Sequence, residues 1–137
     1  MLGDTGEVEL DTKQKMDNVT LTKRAMEAWL LSQNKKLQSD MLSSTGDNSS
    51  GSASRIAYQK HLFNILEDEF KQTGFWPVYG DVDANGCSFF KLFNFPTEGE
   101  LGGYPSGSER YYSINYGDVH FIFLDSIEGA YTNNDAM

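Results

Sequence analysis

Three short stretches place aspartate beside glycine in a way that suits metal-dependent chemistry. They are Gly3-Asp4-Thr5-Gly6, Gly46-Asp47-Asn48 and Gly80-Asp81-Val82-Asp83. Each follows a strand or a strand-like start. In a parallel α/β sheet, the loops at the carboxyl ends of the strands converge on one edge, where ligands bind. A glycine ahead of the aspartate permits the sharp turn that aims its carboxylate outward. Three carboxylates on one rim, from Asp4, Asp47 and Asp81, make a set of hard oxygen donors. Such a set suits magnesium, manganese or calcium better than zinc. Taken singly, each stretch is also an ordinary turn or helix cap; the threefold recurrence is what points to a shared site.

The elements that must position these loops alternate between helix and strand. Leu21, Ala25, Ala28 and Trp29 recur at helical offsets, which predicts an amphipathic helix over Thr20 to Leu37 closed by Lys35 and Lys36. A short strand is expected at Met41 to Thr45, and the small polar run Asp47 to Ser54 reads as loop. A second helix is expected over Ser54 to Lys71, burying Tyr58, Leu62, Ile65, Leu66 and Phe70. Phe75 to Tyr79 reads as a further strand, weakened by Pro77, which cannot donate to a ladder. Residues 80 to 110 carry glycines, prolines and aromatic pairs, and predict long ordered loops. Tyr111 to Tyr116 and Val119 to Leu124, joined by Gly117-Asp118, form the clearest hairpin signal. The order predicts an α/β fold with a mixed sheet, parallel at first and ending in a C-terminal antiparallel hairpin.

Composition narrows the function classes. At 137 residues the length fits one domain, 1–137. Twenty acidic and eleven basic residues leave a net charge of −9, a field that repels nucleic-acid backbones and anionic lipid. The expectation is therefore neither a nucleic-acid nor a membrane partner. One cysteine, Cys87, excludes an internal disulfide framework and a Cys-rich zinc site. The start Met1-Leu2-Gly3-Asp4 has neither a basic flank nor an apolar stretch, so no signal peptide is expected.

The ordered series of motifs resembles a known family. Gly-Asp-x-Gly at 3–6 is followed by Gly-Asp-Asn at 46–48, ahead of a helix bearing Tyr58-Gln59. Trp76-Pro77-Val78 then precedes the loop from Gly80 to Asp83. Further on come Ser88-Phe89-Phe90, Leu92-Phe93, Phe95-Pro96-Thr97 and Gly99-Glu100. The last stretch runs from Tyr111-Tyr112-Ser113 through Val119-His120-Phe121 to Leu124-Asp125-Ser126. Together they resemble the calcineurin-like metallophosphoesterases, nearest to the purple-acid-phosphatase-like branch, over essentially the whole chain. The resemblance implies a partial metallophosphoesterase sandwich and the hydrolysis of a phosphate ester with two divalent metals. Asp4 would bind one metal, Asp47 would bridge both, and Asp81 would stand at the second. Two close cations activate a water and hold the phosphate oxygens for in-line attack.

The chain departs from the family pattern in four places. Asp81 stands where asparagine is expected, and Val82 where a histidine would help protonate the leaving group. Ser50 replaces the tyrosine of the second motif. The sequence ends at Met137, before the family's two histidine-bearing motifs. His61 and His120 follow no glycine turn and read as structural. No catalytic side chain is assigned, and manganese or magnesium is the favoured cation. Read as the N-terminal half of a catalytic domain, the chain would leave a sheet face bare. Self-association or docking of the missing half is then expected. Two rival functions accompany this one. The first is a non-catalytic binding protein on a degenerate phosphoesterase scaffold. The second is a calcium-stabilised structural module using Asp81, Asp83 and Asn85, whose Asp-x-Asp-x-Asn-Gly order matches half of a calcium loop but lacks its closing acid, since that position is Leu92.

Overall fold

The computed structural model describes residues 18–34 and 40–127. The first element, α1, is a helix over Asn18–Ser32. It ends at Ser32 rather than at Leu37, because the amides of Gln33 and Asn34 fold back onto the carbonyls of Leu30 and Leu31 and Asn34 adopts a left-handed φ of 54°. Lys35 and Lys36 lie outside the described residues. The buried face also differs from the expected one. Val19 is buried and Met26 packs on the core, whereas Trp29 and Leu31 are 63% and 72% exposed. Lys23 accounts for the rotation: it lies between Val19 and Met26 on the helix, and its ammonium donates to Ile65 O at 2.9 Å and to Glu69 Oε2 at 3.2 Å. A polar anchor on the inward face outweighs the apolar stripe.

Strand β1 (Met41–Ser43) pairs in parallel with β2 (Gly74–Trp76), Leu42 opposite Phe75. The helical stretch between them is broken into α2 (Arg55–Tyr58), a π turn over Gln59–Phe63, and α3 (Glu67–Phe70). Ser54 caps its start, its hydroxyl accepting from the amide of Ala57 at 3.2 Å. Tyr58, Leu62 and Leu66 are all buried, at steps of four. Steps of four drift around an α-helix, and a wider π turn lessens that drift. β2 stops at Trp76, as Pro77 removes the next donor.

Two single helical turns punctuate the long loop region, α4 (Asp81–Ala84) and α5 (Phe89–Leu92). The hairpin then follows the sequence closely: β3 (Tyr112–Tyr116) and β4 (Val119–Phe123) pair antiparallel, with Gly117 at φ 58° in the turn. The expected mixed sheet is not formed among the described residues. The parallel pair and the hairpin are two separate two-stranded sheets.

Aromatic packing joins them instead. Phe89 is buried against Tyr79, Phe90, Phe93 and Phe95, with ring centroids 5.0–5.5 Å apart. Phe95 stacks on Tyr112 at 4.6 Å, and Tyr112 on Phe123 at 4.5 Å. The Tyr112 hydroxyl donates to Pro77 O at 2.9 Å, tying the hairpin to the segment that leaves β2. A proline end leaves that carbonyl open to a side-chain donor, and a buried tyrosine supplies it. Among the described residues no helix is long and apolar enough to cross a membrane.

Candidate functional site

Both strands of the parallel pair point the same way, so the loops that follow Ser43 and Trp76 leave from one edge. They carry Asp47 and Asp81, and the two loops are in direct contact. A Cβ built on Gly80 would fall well inside contact distance of the Asp47 amide and carboxylate, and 3.0 Å from its Cα. A Cβ on Gly46 would stand 3.3 Å from Gly80 Cα. Gly46 takes a φ of 117° and Asp47 a left-handed φ of 50°, a conformation that aspartate tolerates better than most side chains. The Val82 amide donates to Asp47 Oδ1 at 3.1 Å, closing the second loop onto the first.

An open cleft of about 490 Å³ lies at this edge, lined by Asp47, Asp81, Tyr79 and, from the segment after β4, Ser126. Partial burial pushes the Asp47 carboxyl above the usual carboxylate range. The Val82 amide works against that shift, while the charge of Asp81, a side-chain hydrogen bond with Asp81 and the charge of Asp83 add to it. Two carboxyls meet in a hydrogen bond by sharing a proton, and a cation can replace that proton. The donor chemistry therefore fits a hard divalent ion, held by carboxylate oxygens and completed by water. Two carboxylates could offer such an ion two to four of the roughly six oxygens it takes. Among the described residues no group of three or more histidine, cysteine, aspartate or glutamate side chains converges on a metal position. Asp4 lies outside the described residues.

Asp83 has the opposite orientation from its neighbour in sequence. Asp81 and Asp83 sit two apart on the single turn α4, and side chains two apart on a helix do not share a face. Asp81 is exposed, and Asp83 is completely buried. Its carboxylate accepts from the Gly80 amide at 2.9 Å, the Asn48 amide at 3.1 Å, Asn48 Nδ2 at 2.8 Å and the Tyr58 hydroxyl at 2.5 Å. Burial nevertheless raises its affinity for a proton, with those hydrogen bonds opposing the shift. The Tyr58 phenol is likewise raised, by burial and then by the adjacent carboxylate. Asn48 is buried as well. It also donates to Val78 O at 2.7 Å and accepts from the Ser44 hydroxyl. Alternate residues of the Asp81 to Asn85 stretch thus do not face a common centre as a calcium loop requires.

The far wall of the cleft comes from the hairpin end. Asp125 is buried and accepts from Arg110 Nε at 2.6 Å and from the Ile127 amide at 2.9 Å. The Arg110 guanidinium lies 5.2 Å above the Tyr79 ring. His61 is buried on the π turn, and His120, on β4, bonds Asn115 Oδ1 at 2.6 Å. Neither histidine lines the cleft. Sequence reasoning brought Asp47 and Asp81 together but missed Asn48, Tyr58 and Arg110. The one available signal was positional: asparagine directly after Asp47, and an acid two residues after Asp81 in a helical turn. No family model, curated protein or solved structure matches the chain.

Proposed function

We propose that the chain carries the metal-binding edge of a phosphoric ester hydrolase of the calcineurin-like, purple-acid-phosphatase-like kind. The observation that supports it most is the pairing of Asp47 with Asp81 across two glycine-gated loops at the carboxyl edge of a parallel strand pair. The order of motifs that contain these residues is the second support. On this reading Asp47 and Asp81 hold a hard divalent cation such as manganese or magnesium, with Asp4 as a further ligand. The double-layer sandwich of that family belongs to the same proposal. Bound metal would supply charge for the phosphate oxygens and activation of a water. The chain's own residues orient the ligands: Val82 fixes Asp47 through its amide, and the Gly46–Gly80 approach fixes the gap between the loops.

Turnover by this chain is expected to be weak. Valine occupies position 82, where a proton donor to the leaving group would be worth roughly 10²- to 10⁴-fold. Neither His61 nor His120 is at the cleft. That deficit favours, as a second reading, a binding protein that keeps the metal edge without the chemistry. One pair of measurements separates the readings: manganese binding by the chain, and hydrolysis of an activated aryl phosphate with manganese present. Binding and slow turnover, both lost in Asp47→Ala, support the hydrolase. Binding without turnover supports the binding protein. No manganese binding at millimolar concentration removes both.

A further inference from the structure

The Asp83 carboxylate faces away from the cleft, yet it gathers donors from both loops that carry the cleft carboxyls. The Asn48 amide and side chain come from the loop after β1, the Gly80 amide from the loop after β2, and the Tyr58 hydroxyl from α2. Asn48 adjoins Asp47, and Gly80 adjoins Asp81. One carboxylate therefore fixes the residue next to each of the two cleft carboxyls. The bond to Gly80 is the return half of a capping box, made three residues back along α4. The bonds to Asn48 have no such local purpose, since they span 35 residues. A buried hydroxyl or amide would satisfy some of these donors. A carboxylate accepts from all of them at once through two oxygens, and it costs desolvation to bury. A charge-stabilised acceptor of this kind makes the stronger hydrogen bonds.

We propose that Asp83 is the positioning residue of the cleft: by clamping Asn48 and Gly80 it sets the approach of the Asp47 and Asp81 carboxyls, without itself meeting the cation. This rests on Asp47 and Asp81 being the cation ligands. Loss of the clamp frees Asn48 and Gly80 to move apart, and with them Asp47 and the Val82 amide that donates to its Oδ1. Tyr58 shares the role through its hydroxyl.

The test uses the whole chain and two readouts. Hydrogen exchange followed by NMR reports the Val82 amide, with the β3–β4 amides as internal reference; manganese binding is followed by electron paramagnetic resonance. In Asp83→Asn an amide group replaces one acceptor oxygen with a donor that faces other donors. The Val82 amide is expected to lose protection about tenfold while the hairpin amides keep theirs. Manganese affinity is expected to fall about tenfold, within the range for residues that orient ligands. Tyr58→Phe deletes one donor and should lower both several-fold. Asp47→Asn should abolish manganese binding while the Asn48 and Gly80 amides stay protected. Unchanged Val82 protection and manganese affinity in both Asp83→Asn and Tyr58→Phe overturn the proposal. Equal loss of protection across the hairpin in Asp83→Asn makes that variant a global defect, and Tyr58→Phe then decides. If the wild type takes no manganese but Val82 still loses protection selectively, the clamp stands and the cation reading falls.

Discussion

Gly80→Ala probes the contact between the two loops without removing any side-chain donor or acceptor of the site. Gly80 has φ −110° and ψ 168°, which any residue adopts, so alanine brings no backbone penalty. All of its cost is steric, and the atoms it meets are the backbone and carboxylate of Asp47. The carboxylate could turn aside, but the Asp47 amide and Cα are backbone and cannot, so the loops must separate. Overpacking of this kind costs about 1–3 kcal/mol. Separation also strains the Val82 bond to Asp47 and the Gly80 bond to Asp83, each to a charged acceptor worth about 1.5–3 kcal/mol if lost outright. Partial loss of both and a stiffer unfolded chain, worth about 0.4–1 kcal/mol the other way, leave a net destabilisation of about 2–4 kcal/mol. With a urea slope of roughly 2 kcal/mol per molar, the unfolding midpoint should drop by roughly 1–2 M. Gly51→Ala is the matching control. It meets nothing within 4 Å but sits at φ 62°, so it should cost only about 1 kcal/mol of left-handed strain. If Gly80→Ala costs no more than Gly51→Ala, the loops do not touch and the paired site is wrong.

Asp47→Asn should stabilise the chain at neutral pH by on the order of 1 kcal/mol, after discounting for water in the open cleft, because it removes a carboxyl that burial and Asp81 disfavour when charged. The folded carboxyl titrates above its unfolded value of 3.8, so its contribution to stability is full below that pH and is lost as pH rises through the folded pKa. The advantage of the variant should accordingly vanish in urea titrations near pH 3.5 and be largest at pH 7; an advantage independent of pH refutes the assignment. Phe89→Ala should cost about 3–5 kcal/mol, since the ring is 1% exposed and touches Tyr79, Phe90, Phe93 and Phe95. A loss under 1 kcal/mol by calorimetry would show that this aromatic cluster is not the core.

Local signals in the chain were reliable where one interaction decided the structure. The hairpin closes where Gly117-Asp118 supplies the turn, and Ser54 caps the helix that its position suggested. They failed where a distant partner decided it. Trp29 belongs to the apolar stripe of α1 by spacing, but Lys23 reaches Ile65 and Glu69 and turns that stripe toward solvent. Nothing within the helix encodes the position of Glu69. The break between α2 and α3 is similar, because the steps of four from Tyr58 to Leu66 fit the core only after a π turn. A mixed sheet was expected because strand order alone does not say whether two pairs hydrogen-bond or are bridged by side chains. Here the stacked rings of Phe95, Tyr112 and Phe123 and the Tyr112 hydroxyl make the bridge.

The site was half legible for the same reason. Repetition of Gly-Asp after each strand of a parallel pair is enough to bring Asp47 and Asp81 to one edge, since parallel strands send their loops the same way. Which acids face outward is a matter of local period. In an extended calcium-type loop Asp81 and Asp83 would both face an ion; on a helical turn they diverge, and one becomes solvent-facing while the other is sealed inside. The choice between those periods is made by the donors that wait for Asp83, on Asn48, Gly80 and Tyr58. Those donors come from three separate parts of the chain. Asp83, one of the three residues of the calcium-like stretch, is therefore the one committed to holding the loops together, and the exposed Asp81 is left to face the cleft.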